Sequence, residues 1–215
     1  MKSKELTKNQ LRRLPTYLHL LRDLKSNGVD FITCQTIADD LELNKEQVRK
    51  DIALISSIDG VPNRGRDIDI LIKDVETILG YRTITNAVIV GVGSLGRALL
   101  AYKGFENYGL NIVAAFDLYG DKEINDKHVY GMNKLTKETL KKLNAEIGII
   151  TVPDSAAQEV ADKLIDAKVQ GIWNFAPSKI NVPKNIILSN IDLAASLAVL
   201  SHELYLKEIK EKKNG

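Results

Sequence analysis

Three glycines and one aspartate have the spacing of a nucleotide-binding loop. Gly91, Gly93 and Gly96 fit the pattern G-x-G-x-x-G between the apolar stretch NAVIV and the helical stretch RALLAYKGF. In this pattern the first glycine permits a sharp turn, the second leaves room for a pyrophosphate, and the third lets helix and strand pack closely. Asp117 follows Gly96 by 21 residues and ends the apolar stretch NIVAAFD. A carboxylate there bonds the ribose hydroxyls, which favours NAD over NADP.

The residues between these glycines complete the predicted phosphate cradle. They are Val92, Ser94 and Leu95. Exposed N–H groups at the start of a helix bind phosphate oxygens. Further along, the chain alternates between the strand EIGIITVP, the helix SAAQEVADKLIDAKV, the strand GIWNF and the strand IILSN. Such alternation is typical of a parallel sheet with right-handed crossovers, so residues 83–189 are predicted to form a Rossmann-type NAD(H)-binding domain.

The first 82 residues have the pattern of a small helical domain. A helix is predicted from Pro15 to Ser26, and Thr33 and Asn44 are placed to cap two short helices joined by the turn ELN. Apolar residues of these two helices bury the joint: Ile37, Ala38, Leu41, Leu43, Val48 and Ile52. Polar residues of the second helix point outward: Lys45, Gln47, Arg49 and Lys50. This pattern is typical of a helix-turn-helix that enters the DNA major groove, although helix pairs in ordinary cores share it.

A basic turn follows the second helix of this pair. The stretch DGVPNRGRDIDI carries Arg64 and Arg66 between strand-like flanks. A basic hairpin at this position is a wing that reaches phosphates or the minor groove. Residues 1–82 are therefore predicted to form a winged-helix DNA-binding domain, closed by a last helix in DVETILGYR, with the boundary near Thr83.

The last segment, residues 190–215, is predicted to be a helix with a leucine seam. Its leucines alternate at spacings of four and three: Leu193, Leu197, Leu200 and Leu204. This spacing indicates a coiled-coil-like contact with a partner, and a core helix of the same chain would show the same periodicity.

Composition constrains the setting more than the function. The net charge of +2 predicts no partner, and no apolar run of about 18 residues would form a membrane span. With a polar N-terminus as well, the chain is expected to be cytoplasmic. Cys34 is the single cysteine and is expected to be structural, and no Cys and His spacing indicates a metal site.

The sequence leaves little chain for catalysis. Once the sheet is assigned, no segment of domain size remains to hold a substrate beside a positioned acid or base. His19, His128 and His202 have no evident catalytic partner in the sequence. A non-enzymatic role is therefore predicted, and an NAD-dependent oxidoreductase with a helical accessory domain is the alternative.

Seven blocks spread along the chain match the pattern of one known family: RLPTYLHLL, IADDLELNKEQVRKD, GVGSLGRALLAYKGF, VAAFD, IITVPDSAAQEVADKL, GIWNFAP and IDLAASLAVLS. Through these blocks nearly the whole chain resembles the Rex family of redox-sensing transcriptional repressors. The resemblance implies a homodimer that binds double-stranded operator DNA and responds to the NADH/NAD balance. It also implies an α/β fold in which a winged-helix domain precedes a Rossmann-type parallel sheet. The C-terminal helix would be swapped between the two subunits.

The resemblance also implies roles for single residues. Tyr102 would sense the nicotinamide, Asp192 would pair with Tyr102, and Arg13 would belong to the same network. The remaining candidates for contact with the coenzyme are Phe105, Val152, Pro153, Ala176 and Pro177. Our hypothesis is that a pocket lined by Tyr102, Phe105, Ala176 and Pro177 disfavours the cationic nicotinamide of NAD, because burial of a charge costs free energy. NADH would then bind better and release the operator by linkage.

One segment departs from the family pattern. Between VRKD and RG the family carries an aromatic stretch resembling LSYFGxFGKRG, whereas this chain has IALISSIDGVPNRG, about three residues longer and without aromatics. The wing is therefore divergent. A paralogue that binds DNA and responds weakly to nicotinamide is the nearer alternative function.

Overall fold

A computed structural model describes residues 6–62, 64–81 and 83–214. The chain divides into two compact units, Met1–Thr83 and Ile84–Gly215. The described residues of the first unit form four helices and two short strands: α1 Lys8–Ser26, β1 Phe31–Ile32, α2 Cys34–Asp40, α3 Lys45–Ile55, β2 Arg66–Asp67 and α4 Ile68–Leu79. The strands β1 and β2 pair antiparallel.

The first helix begins seven residues before its predicted start at Pro15. Thr7 caps α1, because its hydroxyl accepts from the N–H of Gln10 at 3.3 Å while its own N–H donates to the Gln10 side chain at 2.9 Å. Pro15 therefore lies inside the helix, where a proline removes one backbone hydrogen bond and costs about 3 kcal/mol. Burial of Leu14, Leu18 and Leu21 in the same helix outweighs that cost, at roughly 1.5–3 kcal/mol for each side chain.

The helices α2 and α3 form the predicted helix-turn-helix. The Thr33 hydroxyl accepts from the N–H of Thr36 at 3.1 Å, and the Asn44 side chain accepts from the N–H groups of Glu46 and Gln47 at 2.9 and 3.2 Å. Of the residues predicted to bury the joint, four are buried, namely Ile37, Ala38, Val48 and Ile52, and two are half-buried, namely Leu41 and Leu43.

The predicted hairpin of the wing has a different pairing. Before the turn, Val61 is joined to the backbone of the returning chain through an isolated bridge to Gly65. The strand β2 then pairs with β1, which precedes the helix-turn-helix, and not with the segment before the turn. Gly65 decides this arrangement, because it has φ +92° and a Cβ there would overlap the carbonyl oxygen of Ile32. The close backbone approach brings the returning chain onto β1.

The second unit is a seven-stranded sheet flanked by helices. Its elements are β3 Thr85–Val90, α5 Ser94–Ala101, β4 Leu110–Asp117, β5 Lys122–Ile124, β6 Lys127–Gly131, α6 Lys137–Lys142, β7 Ala145–Ile150, α7 Asp154–Asp166, β8 Gly171–Asn174, β9 Ile187–Asn190 and α8 Leu193–Asn214. The strand order is β5-β6-β4-β3-β7-β8-β9, and all neighbours are parallel except β5 and β6. Between β3 and β7 the direction of winding reverses, which is where open parallel sheets bind ligands.

Two features of this unit differ from the sequence prediction. An antiparallel hairpin, β5 with β6, adds an edge strand that no prediction contained. Its turn has Asn125 and Asp126 at φ +51° and +60°, the conformation of a type I′ turn, so the Asn-Asp pair was the overlooked signal. The helix after the glycine loop also ends early, at Ala101, and a short 3-10 helix, Lys103–Tyr108, follows it.

Alternate residues of β3 enter two different cores. Val88 and Val90 face one side of the sheet, in the core that α6 and α7 cover. Ala87 and Ile89 face the other side, in the core that includes Leu100 of α5. A strand buried on both faces in this way is typical of a doubly wound α/β sheet.

The leucine seam of α8 stays exposed within the chain. Its four leucines, Leu193, Leu197, Leu200 and Leu204, keep 61%, 63%, 52% and 56% of their surface accessible. The alternative that α8 is a core helix of its own chain is therefore wrong. Among the described residues no helix is long and apolar enough to cross a membrane.

Candidate functional sites

The glycine loop forms an open cradle at the carboxyl end of β3. Gly91 has φ +97°, and a Cβ there would lie 2.8 Å from Cγ1 of Val152 and 2.9 Å from the carbonyl oxygen of Thr151. A Cβ at Gly96 would overlap the carbonyl oxygen of Gly91, so the helix packs directly on the loop. At Gly93 a Cβ would meet nothing within 4 Å. The three glycines thus differ in geometry: Gly91 makes the turn, Gly93 borders open space and Gly96 contacts the loop.

The first turn of α5 begins directly after Gly93, beside this open space. The helix begins after Gly93, which has no side chain to cap it. Ser94 is exposed, Leu95 is half-buried and Val92 is buried. Because the first N–H groups of a helix have no partner within the helix, they are available to an anion such as a phosphate.

Asp117 is tied to the loop that it faces. Its carboxylate accepts from the N–H of Val92 at 2.8 Å and from the N–H of Tyr119 at 3.1 Å. Arg97 also holds the loop, since its Nε donates to the carbonyl oxygen of Val92 at 2.8 Å. A carboxylate has about four acceptor positions, so Asp117 retains capacity for further donors such as hydroxyl groups. Sequence reasoning did not identify Arg97.

The loop and the neighbouring strand ends line one cavity of about 220 Å³. Five predicted residues line it: Gly91, Gly93, Asp117, Val152 and Pro153. Thr151 lines it too, and its hydroxyl donates to the carbonyl oxygen of Gly91 at 2.7 Å. Thr151 was missed, although a polar residue directly after a buried strand is a signal in parallel sheets.

Ala176 and Pro177 line a different cavity, of about 210 Å³, together with Asp192. Buried Asn174 fixes this loop, because its side chain accepts from the N–H of Ala176 at 3.0 Å and donates to the carbonyl oxygen of Ser178 at 3.0 Å. Asn174 ends β8 and was also missed by sequence reasoning.

The outer face of α3 is basic. Lys45, Arg49 and Lys50 are exposed, and Gln47 is half-buried. The Nη2 atom of Arg49 lies 2.8 Å from a carboxylate oxygen of Glu46 one turn earlier, which holds the pKa of Glu46 below its ordinary value. Since surface pairs of this kind are worth less than about 1 kcal/mol, Arg49 remains available to another anion.

The two arginines of the wing are both engaged within the first unit. Arg64 places its guanidinium 3.8 Å from the ring centroid of Phe31. Arg66 donates to the hydroxyl of Ser56 at 2.8 Å and to the carbonyl oxygen of Ile58. Arg66 thus braces the loop from inside, whereas sequence reasoning had both arginines free to reach DNA.

The described residues hold no group of three or more side chains that could ligate a metal ion. Cys34 is half-buried, and burial raises the pKa of its thiol above the ordinary value. A thiol with a raised pKa is a poor nucleophile at neutral pH, which agrees with a structural role.

Comparison with known proteins covers both units. Residues 5–53 match the family model described as "Putative DNA-binding protein N-terminus", and residues 82–178 match the "CoA binding domain" model. The redox-sensing transcriptional repressor Rex of Treponema denticola is 41% identical over 193 residues, 88% of this chain and 91% of that protein. The Rex protein of Bacteroides thetaiotaomicron is 37% identical over 93% of this chain and 91% of its own length. The chain belongs to the Rex family of redox-sensing transcriptional repressors.

Solved Rex structures superimpose on nearly the whole chain. The Rex-family repressor RSP has a TM-score of 0.87 at 29% identity, over 99% of this chain and 100% of its own. RSP in complex with β-NAD⁺ and operator DNA has a TM-score of 0.88 at 30% identity, over 99% of this chain and 98% of its own. RSP in complex with β-NADH has a TM-score of 0.85 at 30% identity, over 96% of this chain and 98% of its own. These matches confirm the predicted fold class, a DNA-binding N-terminal domain with a mostly parallel Rossmann-type sheet.

Each of the sensor residues that the Rex resemblance implies has a partner inside its own unit, and Tyr102 packs on Phe105. Arg13 pairs with Asp51, with Nε 2.7 Å from Oδ2 and Nη2 2.9 Å from Oδ1. Asp192 accepts from the N–H of Ala195 at 2.9 Å at the start of α8. Within the described part of the second unit, Tyr102 and Asp192 line different cavities.

Tyr102 and Phe105 lie at the far end of α5 from the glycine loop. They line a cavity of about 360 Å³ with residues of the start of β4 and of the β5–β6 turn. Their rings pack edge to face at 4.9 Å, and Phe105 packs on Trp173 at 5.7 Å. Tyr102 is 56% exposed. The pocket predicted from Tyr102, Phe105, Ala176 and Pro177 is thus not assembled by one chain.

Proposed function

We propose that this Rex-family chain is a homodimeric repressor that binds operator DNA and releases it when NADH occupies the glycine-loop cavity. The observation that carries this proposal is the likeness to RSP over nearly the full length, since RSP was crystallised both with NAD⁺ and operator DNA and with NADH. We further propose that it acts in the cytoplasm, with the domain limits predicted at residues 82 and 189.

The shape of the cradle supports a dinucleotide with an adenosine diphosphate half. The open space above Gly93 and the N–H groups at the start of α5 would hold the pyrophosphate, and Asp117 would bond the adenosine ribose. When bound, the coenzyme supplies a nicotinamide ring that is neutral in NADH and cationic in NAD⁺. Asp117 repels a 2′-phosphate, which supports NADH over NADPH.

The exposed seam of α8 supports a dimer. Its four leucines each keep more than half of their surface accessible. A second copy of the chain would bury them, and full burial stabilises by roughly 1.5–3 kcal/mol for each leucine side chain. The position of Tyr102 supports the same assembly. Because Tyr102 follows Ser94 by eight residues, it lies about 12 Å along the helix from the phosphate cradle. We therefore propose that Tyr102 and Asp192 complete the nicotinamide site across the dimer.

We propose that the coenzyme is a signal here and not a reactant. The titratable side chains that line the glycine-loop cavity are Asp117, Glu159 and Lys163. Asp117 accepts two backbone N–H groups, and Lys163 lies 2.8 Å from Glu159 as an ion pair. These side chains would lie beside the adenosine diphosphate half and not beside the nicotinamide, and the relatives at 37% and 41% identity are transcriptional repressors, which supports binding over hydride-transfer chemistry. A panel of hydroxy acids should give no reduction of NAD⁺.

The experiment that tests this proposal measures DNA affinity in both redox states. Fluorescent duplex selected by the protein from a random library is titrated with the chain at saturating NADH, saturating NAD⁺ and without coenzyme. We expect NADH to weaken binding at least tenfold relative to NAD⁺. Equal affinity in both states would refute the redox response.

One observation favours a narrower function. The wing lacks the aromatic residues of the family, and Arg66 is bonded inside the loop. A Rex paralogue that binds DNA and NADH without coupling them would give NADH-dependent quenching of Trp173, the one tryptophan of the chain, with unchanged DNA affinity. Measuring both signals on the same sample separates the two functions.

A further inference from the structure

The recognition helix carries a buried carboxylate on the face opposite its basic residues. Asp51 belongs to the inner face of α3 with Val48, Ile52 and Ile55, and it is only 1% exposed. An ionised carboxylate in such surroundings must be paired and hydrogen-bonded, because burial of an isolated charge is very unfavourable.

Four donors from α1 saturate this carboxylate. Oδ2 accepts from Nε of Arg13 at 2.7 Å and from the hydroxyl of Tyr17 at 2.8 Å. Oδ1 accepts from Nη2 of Arg13 at 2.9 Å and from the amide of Gln10 at 3.2 Å. A carboxylate has about four acceptor positions, so every one is used. Three residues spaced along one helix thus converge on a single side chain of the recognition helix.

Such a cluster is a costly way to obtain stability alone. Apolar residues of similar volume stabilise a core as well as a buried ion pair, and often better. A bidentate arginine–carboxylate pair adds what apolar contacts lack, which is a fixed direction. Rotation of α3 about its axis by about 20° would move its outer side-chain atoms by about 2 Å, enough to break hydrogen bonds to base edges.

We propose that Arg13, Tyr17 and Asp51 are positioning residues that set the axial orientation of the recognition helix, and so determine how well the protein distinguishes operator from other DNA. This inference rests on the proposed DNA-binding function. It assigns Arg13 a role within the first unit that the family resemblance does not contain. Two of the guanidinium donor positions, Nε and Nη2, are engaged on Asp51, and the side chain is 24% exposed.

The first test compares a conservative change with its neighbour. Arg13→Lys keeps the charge and removes the bidentate geometry, and Arg12→Lys is the matched control, because Arg12 is the adjacent arginine on the exposed side of α1. The readout is the ratio of affinities for library-selected duplex and for scrambled duplex. We expect Arg13→Lys to lower this ratio at least tenfold and Arg12→Lys to leave it within twofold.

A second variant separates orientation from folding. The triple change Arg13→Met, Tyr17→Phe and Asp51→Leu leaves the net charge as it was and fills the site with apolar side chains. Because apolar replacement of a buried pair preserves folding and non-specific DNA affinity follows charge, we expect an unchanged melting temperature and unchanged affinity for scrambled duplex. The ratio should still fall at least tenfold.

The outcomes are distinct. A parent protein with no preference among duplexes refutes the proposed function and this inference with it. A parent with a clear preference that both variants retain overturns this inference alone. A variant that keeps the ratio but loses the response to NADH also overturns it, since Arg13 would then act in coenzyme sensing. A tenfold fall in the ratio of affinities for selected and scrambled duplex, in a triple variant that is stably folded, supports the inference.

Discussion

Replacement of Gly93 by valine should separate coenzyme binding from folding. Gly93 has φ −66° and ψ −167°, an extended conformation that any residue adopts. An added Cβ would meet no atom within 4 Å. The free energy of unfolding should therefore change by no more than about 0.5–1 kcal/mol, the range for substitutions that disturb no packed contact.

The same side chain would fill the space over the N–H groups at the start of α5. If it removes two hydrogen bonds from those N–H groups to phosphate, at about 1.5–3 kcal/mol each, the loss is about 3–6 kcal/mol. Each 1.4 kcal/mol is a factor of ten in affinity, so NADH binding should weaken by roughly a hundredfold to ten-thousandfold. Operator affinity without coenzyme should be unchanged, and NADH should no longer lower it.

The assay uses the single tryptophan, Trp173, whose emission NADH should quench on binding, with thermal unfolding measured on the same samples. Gly96→Ala is the control with the opposite expectation, because its Cβ would overlap the carbonyl oxygen of Gly91 and the melting temperature should fall. If Gly93→Val binds NADH within threefold of the parent, the loop is not a phosphate cradle. A melting temperature of Gly93→Val as low as that of Gly96→Ala would show that a side chain at position 93 does not lie in open space.

Three further predictions concern pH, DNA and assembly. Burial and the carboxylate of Asp51 raise the pKa of Tyr17 to about 12. This favours the neutral phenol in the folded state, so about 2–3 kcal/mol of stability should be present below pH 10 and be lost as the pH rises towards 12. Urea unfolding from pH 9 to 12 should show this loss in the parent and not in Tyr17→Phe, and parallel curves would contradict it. Lys50→Ala should weaken operator binding and reduce the slope of log affinity against log salt concentration by about 1, with NADH affinity unchanged. Lys73→Ala is the control, because Lys73 is an exposed lysine in the same unit. Equal loss of DNA and NADH binding would indicate misfolding instead. Leu200→Asp should convert the dimer to monomer in sedimentation, whereas His202→Asp, on the same helix and outside the leucine seam, should not; a Leu200→Asp dimer of unchanged affinity would show that the seam is not the interface.

Local chemistry made the nucleotide loop predictable. Gly91 makes a turn, Gly93 leaves open space and Gly96 contacts the backbone of Gly91, and all three features lie within six residues. Asp117 follows at a distance in sequence that is set by one helix and one strand. The helix-turn-helix was predictable for the same reason, since Thr33 and Asn44 cap helices through hydrogen bonds that span only two or three residues.

Long-range packing decided the rest. The partner of Arg13 is Asp51, 38 residues away, and nothing in the local pattern of either helix indicates that pairing. The strand after the wing pairs with Phe31–Ile32 because Gly65 allows a backbone approach that periodicity cannot reveal. Which buried acid meets which donor depends on how whole helices pack against each other, so only the tertiary structure could decide it.

Five parallel strands of the sheet, the glycine loop and the helix-turn-helix follow from the sequence, because caps, glycines and apolar periodicity act over a few residues. Packing decides that Tyr102 and Ala176 line separate cavities and that the leucines of α8 stay exposed in their own chain. Burial depends on the packing of the whole molecule, because the same leucine spacing occurs in a core helix and in a helix that contacts a second copy of the chain.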